Sequence, residues 1–132
     1  MSDTMAAMVA LADRFFNAVE NGDIEAVKAC YSPDLRAWHS RDEAWTDISQ
    51  NLELIQNFFS RVPDFHFEIE RRFYTEEGFV QQHVVHGHVG DDLIRLPVCF
   101  VALVTDGYIV KLWEYFDSGK SPMKGVVQEH AG

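Results

Sequence analysis

At 132 residues, 47% of them hydrophobic and 24% charged, the chain has the makings of one folded domain around a single core and is too apolar to be disordered. Eleven basic residues against twenty-one acidic ones leave a formal charge of -10, which repels phosphate backbones and anionic lipid and so argues against nucleic acid or membrane partners. The start, MSDTMAAMVA, lacks the basic and apolar regions of an export signal, and Cys30 and Cys99 have neither paired nor metal-binding spacing, so the expectation is a cytoplasmic protein with reduced thiols.

From Asp3 to Glu20 the apolar residues Met5, Met8, Val9, Ala12, Phe15, Phe16 and Val19 recur at helical spacing, with Asp3 or Thr4 as N-cap and Asn21-Gly22 as the stop. Asp23 caps a second, shorter helix through Ile24, Val27, Lys28 and Tyr31, ended by Ser32-Pro33. Asp34 to His39 reads as a short strand with Leu35, Ala37 and His39 on one face and Arg36 and Trp38 on the other. The next nine residues, SRDEAWTDI, are polar and irregular. Asp47 or Ser49 then opens a third helix whose stripe is Ile48, Leu52, Ile55, Phe58 or Phe59, and Val62, with Asn51 near its start and Pro63 as its stop.

Beyond Pro63 the period changes to two. Phe65, Phe67, Ile69 and Phe73 alternate with polar neighbours, Thr75 to Gly78 makes a hairpin, and strands follow over Phe79 to Val89 and Leu93 to Val104. Thr105-Asp106-Gly107 turns into the last strand, GYIVKLWEYFD. Four consecutive antiparallel strands make a meander that curls, and helices against its concave side enclose a cone-shaped space. The expected fold is therefore α+β: a cystatin-like cone of three N-terminal helices on one strongly curved, mainly antiparallel sheet, a single domain over 1–132. Pro97 is expected at a bulge or strand end, because it cannot donate to a ladder, and the tail from Ser118 is expected to be extended or frayed.

In the last strand Val110, Leu112, Glu114 and Phe116 share one face, and Ile109, Lys111, Trp113, Tyr115 and Asp117 the other. Both faces are apolar, so both need cover. One covering is the helices; the other is a second copy of the chain, a homodimer through the outer face around Trp113 and Val98. Glu114 then stands among apolar neighbours and needs a partner or a raised pKa. Either it orients or protonates the imidazole of His39, or it acts itself as the acid with its pKa raised by apolar walls, or it forms a structural ion pair with Arg36, Arg71, Arg72 or Arg95.

Walker, GxGxxG, HExxH and GxSxG patterns are all missing, so no cofactor is implied. What carries chemistry is a set of histidines together with Glu114. An imidazole at His39 can act as a general base near neutral pH without extreme tuning. In HVVHGH, His86 and His88 share a face and His83 points the other way; the pair at i and i+2 lacks a third ligand, so no metal site is assigned. Trp38, Phe58 and Phe116 are candidate walls of an apolar ligand site.

The order of helix, NGD turn, short helix, YSPD strand, third helix and a meander ending in DGYIVKLWEYFD resembles the nuclear transport factor 2-like superfamily over nearly the whole chain. Within it the chain is most similar to SnoaL-like and ketosteroid isomerase-like proteins, through Trp38-His39, the helix opening Asp47 to Asn51, and GFVQQHV at Gly78 to Val84. The resemblance implies a cavity faced by position 39, with His83, Asn51 and Phe15 also at the ligand. Phe15 replaces the tyrosine donor of the ketosteroid isomerases, His39 their aspartate base, and Cys99 or Phe100 their protonated acid. Against limonene epoxide hydrolase relatives, Ala37 and His39 replace a tyrosine and asparagine. Glu114 there keeps one acid position, and the remaining two fall near Gln81 and His83 or near Val84 and His86.

Two functions follow as expectations. One is a cofactor-independent isomerase, cyclase, hydrolase or hydratase acting by general acid/base chemistry on a small apolar carbonyl or polycyclic compound, with His39, Glu114 and His83 as catalytic residues. The other is a non-catalytic binding module for a hydrophobic metabolite. Trp38, Asn51, Phe15, Phe58 and Phe116 are the expected ligand contacts in both.

Overall fold

The computed structural model describes residues 3–120, and it shows three helices laid on a six-stranded, mostly antiparallel curved sheet. Helix α1 spans Asp3–Glu20 and α2 Ile24–Cys30, followed by β1, Tyr31–His39, β2, Ala44–Thr46, and α3, Ile48–Arg61. The meander is β3, His66–Tyr74, β4, Gly78–Val89, β5, Asp92–Thr105, and β6, Tyr108–Phe116. The sheet order is β2-β1-β6-β5-β4-β3, and the pairing of β1 with β6 is parallel.

Local chemistry accounts for most of these boundaries. Gly22 adopts φ +65°, which lets Asp23 N–H reach back to the Ala18 carbonyl and closes α1. Asp23 accepts from Ala26 N–H at 3.1 Å to start α2. Asp47 and Gln50 form a reciprocal capping box on α3, so Asp47, not Ser49, is its cap. Asp106 and Gly107, with φ of 53° and 83°, form the two-residue turn whose twist matches β5 and β6.

Several expectations are corrected. Helix α2 stops at Cys30 and Tyr31 already belongs to β1, because the Tyr31 ring is pulled into the core where a strand residue can bury it. The stretch after His39 is not wholly irregular: Ala44–Thr46 folds back as β2 against Ala37–His39. Pro97 lies inside β5 opposite Val84, with neither bulge nor strand end there. It is tolerated because β6 ends at Phe116, opposite Val98, so that one side of β5 is an edge at Pro97. In β6 the register slips between Ile109 and Lys111, leaving Val110 as the extra residue. Ile109 is thereby turned into the core, fully buried, against the expected parity. Residues Ser118–Lys120 make a short 3₁₀ turn; the remainder of the expected frayed tail, including His130, lies outside the described residues.

Two apolar clusters fill the space under the helices. One joins α1, α2 and the middle of the sheet through Leu11, Phe15, Phe16, Val27, Leu35, Phe79, Phe100 and Leu112. The other gathers Val62, Phe65, Val85, Ile94, Leu96 and Val98 at the far end of β4 and β5. Val19 and Phe67 pack against both clusters, and the cavity opens beside them. No helix among the described residues is long and apolar enough to cross a membrane.

Candidate functional site

The cavity has a volume of about 130 Å³. Phe15, Phe16 and Val19 of α1 and Asn51, Leu54, Ile55 and Phe58 of α3 form its roof. Phe67, Val85, Leu96, Val98, Phe100 and Leu112 form its floor, and Tyr31, His39, Arg41, His83, Glu114 and Phe116 complete the wall. Polar groups are few and separated by hydrocarbon, the usual composition of a small-molecule site.

His39 and Glu114 meet at one end. They are register partners in the parallel β1–β6 pair, and Nε2 of His39 lies 3.9 Å from Oε2 of Glu114. Ser40 fastens this juncture: its N–H donates to the Glu114 carbonyl at 2.9 Å, its hydroxyl donates to the Phe116 carbonyl at 3.0 Å, and it accepts from Phe116 N–H at 2.9 Å. Burial pushes the Glu114 carboxyl above its ordinary pKa, and the His39 charge opposes that rise. The Glu114 side chain nevertheless keeps 30% of its surface accessible and lines the cavity, which tempers that rise. Its charge partner is His39, not Arg36, Arg71, Arg72 or Arg95.

His83 faces the same cavity from β4, at 4% exposure, while His86 and His88 lie on the outer side against Glu68 at 3.0 Å and Asp64 at 2.7 Å. The His83 ring stacks on Phe67 with centroids 4.3 Å apart and meets Phe16 edge-on. Desolvation, helped by the Arg72 cation, lowers its pKa to about 4, so it is neutral at physiological pH. Its Nδ1 is 2.9 Å from Nε2 of the fully buried Gln81.

A third polar pair, which sequence reasoning missed on one side, is Tyr31 with Asn51. The Tyr31 hydroxyl donates to Asn51 Oδ1 at 2.7 Å, both groups being buried. Burial and then the nearby Glu114 charge hold the phenol well above its usual range, so it stays a donor. Asn51 was legible from the helix opening. Tyr31 was not, because the helical reading of YSP hid its face; its signal was the Ser32-Pro33 pair, which forces an extended residue before the proline.

Of the other expected contacts, Phe15, Phe58 and Phe116 line the cavity. Trp38 does not. It sits between Ala37 and His39 on the strand, and the period-2 pleat sends it through the sheet to the outer face, where its ring packs 5.1 Å from Tyr115. Val98, expected near the outer face, points into the cavity, whereas Trp113 packs outside against Trp45.

The arrangement can be set beside known proteins. A family model described as a SnoaL-like domain matches residues 12–112. No curated protein matches the sequence. Among solved structures the chain is similar to an LEH-like epoxide hydrolase of M. tuberculosis, with TM-score 0.73 and 22% identity over 87% of this chain and 86% of that one. It is also similar to a candidate SnoaL-like polyketide cyclase from Jannaschia sp. CCS1, with TM-score 0.79 and 14% identity over 96% and 98% of the two chains. AclR, a candidate hydroxylase from Streptomyces galilaeus, matches with TM-score 0.78 and 15% identity over 88% and 92%. These identities speak for the fold, three helices on a curved sheet with a cavity between, and the family match covers most of the length: the chain belongs to the SnoaL-like domain family.

Proposed function

We propose that the protein is a cofactor-independent acid/base catalyst for a small, largely apolar carbonyl compound, of the isomerase, cyclase or hydratase kind. The single observation that carries this reading is the His39–Glu114 pair, an imidazole and a partly buried carboxyl 3.9 Å apart in the wall of a largely apolar cavity. That distance is an ion-pair contact and too long to close a hydrogen bond. Both groups therefore keep their proton-transfer capacity for a ligand.

In this reading His39 removes a proton from the carbon beside a carbonyl and becomes imidazolium. The new cation steadies the Glu114 carboxylate, whose ionisation burial otherwise penalises, so the pair carries the proton with little change in net desolvation. The electrons released move onto the carbonyl oxygen, and neutral His83 contacts the ligand from another wall. Returning the proton to a different carbon isomerises the compound; attack of the enolate carbon on a second carbonyl, with the proton passed to the alkoxide, cyclises it. The relatives described as an epoxide hydrolase, a polyketide cyclase and a hydroxylase are compatible with such chemistry on this fold.

The test is deuterium exchange at the α-carbon of bicyclic ketones in heavy water, followed by proton NMR. The expected result is exchange accelerated by the protein and reduced by two to four decades in His39→Ala, the usual loss for a missing general base. Tight binding of such ketones with no exchange and no turnover would leave the second reading, a binding module for a hydrophobic metabolite, which the oxygen-free Phe15 and Phe100 in the cavity wall favour.

A further inference from the structure

A polar chain runs from the surface of α1 to the cavity and ends on His83. Its members are Asp13, Arg72 and Gln81. Arg72 Nη1 donates to Asp13 Oδ1 at 2.7 Å and to the Tyr74 hydroxyl at 3.2 Å. Its guanidinium lies 5.1 Å over the Phe16 ring, the same ring that abuts His83. Arg72 Nε donates to Gln81 Oε1 at 2.7 Å, and Gln81 Nε2 stands 2.9 Å from His83 Nδ1. Cross-strand register supports the contact, since Arg72 is paired with Gln81 in β3–β4.

The direction of these bonds is forced. Arginine Nε can only donate, so the atom it meets must be the amide oxygen; the reversed amide would set two donors against each other. With Oε1 toward Arg72, the amide nitrogen faces His83 and can only donate. Nδ1 of His83 must then accept, and a neutral imidazole that accepts at Nδ1 carries its proton at Nε2. Among the described residues no hydrogen bond ends on that second nitrogen, and the ring lines the cavity.

We propose that Arg72 is a positioning residue: acting through Gln81, it locks His83 in the neutral Nε2–H tautomer, so that the cavity wall presents a hydrogen-bond donor to an oxygen atom of the ligand. This rests on the carbonyl reading above and deepens it, because the ligand class becomes one whose acceptor oxygen reaches the β4 wall while its acidic carbon reaches His39. Phe15 and Phe100 offer no donor there, so the tautomer decides whether that wall can hold an enolate oxygen at all. Asp13, on the surface side, keeps the guanidinium turned the right way.

The test reads the tautomer on the ligand-free full-length protein by nitrogen-15 NMR of the histidine rings, assigned by loss of one signal set in His83→Gln. The expected result is an unprotonated Nδ1 and a protonated Nε2 for His83 at neutral pH. Arg72→Met should release the amide and give a mixture of tautomers, and Arg72→Lys, whose ammonium can still donate to Gln81 Oε1, should restore the parent pattern in part. Gln81→Glu, which can only accept from Nδ1, should invert the pattern to Nδ1–H. A parent protein with Nδ1–H, or an unchanged Nε2–H pattern in folded Arg72→Met, would overturn the proposal. If Arg72→Met does not fold, Gln81→Glu decides: inversion supports the lock and no inversion defeats it. Because no ligand is present, these outcomes are independent of whether His39 turns anything over.

Discussion

His39 stands opposite Glu114 in the sheet's parallel pairing, β1 with β6, with Nε2 and Oε2 3.9 Å apart and Ser40 clamping the strands immediately beyond. Two residues far apart in the chain are thus brought to one spot by backbone register, not by flexible side chains. The consequences for activity and for pH follow from that placement.

If the carboxylate only steadies the imidazolium by its charge, Glu114→Gln should cost less turnover than His39→Ala, because the base itself remains. If it delivers the proton, the two losses should be similar, two to four decades each. Parallel kcat measurements on the two variants with one ketone substrate decide between them.

Glu114 also predicts a pH effect on stability. Its folded pKa is raised, so the native state holds a proton that the unfolded chain releases, and stability falls as pH rises above the ordinary glutamate value of 4.5. Glu114→Gln should therefore be more stable than the parent at neutral pH. The gain should fade as the pH drops to 4, where the parent carboxyl is protonated in both states. Urea unfolding at the two pH values checks this; a variant equally or less stable at neutral pH speaks against the burial effect.

His83 works in the opposite sense. With a folded pKa of about 4 against 6.5 for the free side chain, it favours the native state fully above pH 6.5 and withdraws that support as the pH falls toward 4, on the order of 3 kcal/mol in all. His83→Gln should flatten the stability profile across that window. Asp64 and Glu68, whose pKa values are lowered chiefly by bonds from His88 and His86, lose their contribution as the pH falls below their ordinary values of 3.8 and 4.5, at the acid end of the His83 window.

Gly78 has its missing Cβ aimed straight at the Ala102 carbonyl oxygen in the paired β4–β5 backbones. Gly78→Ala must part those strands and should cost about 1–3 kcal/mol or more. Gly90, at φ +59° with open space around it, should cost nearer 1 kcal/mol as alanine, from backbone strain alone. Thermal unfolding of both variants gives the comparison.

The outer face of the sheet carries Trp38 against Tyr115 and Trp45 against Trp113, with Lys111 over both Trp45 and Trp113, and it leaves Tyr115 and Phe73 about half exposed. We propose that a second copy covers this face. Sedimentation should show a dimer at micromolar concentration and a monomer for Trp113→Glu. A parent monomer refutes the proposal.

Much of this was legible in the chain itself. Helix α1 with its Gly22 stop, the caps at Asp23 and Asp47, and the four-strand meander all follow from short-range periodicity and turn chemistry, which act over three or four residues and leave their mark there. The parity of β1 turned His39 inward and Trp38 outward, and that of β4 separated His83 from His86 and His88. What parity does not contain is which strands are neighbours. The parallel β1–β6 contact depends on the chain crossing the whole sheet, and only that contact pairs His39 with Glu114. The slip at Val110 reverses the face of Ile109, and no local signal marks it. Tyr31 and Asn51 share a hydrogen bond because α3 closes over the curled sheet, and Asp13, Arg72, Gln81 and His83 form one chain because α1 does. Sequence alone determined which residues could carry protons in an apolar setting; the tertiary structure decided which of them meet, since register and curvature are set by packing of the whole core and not by any segment.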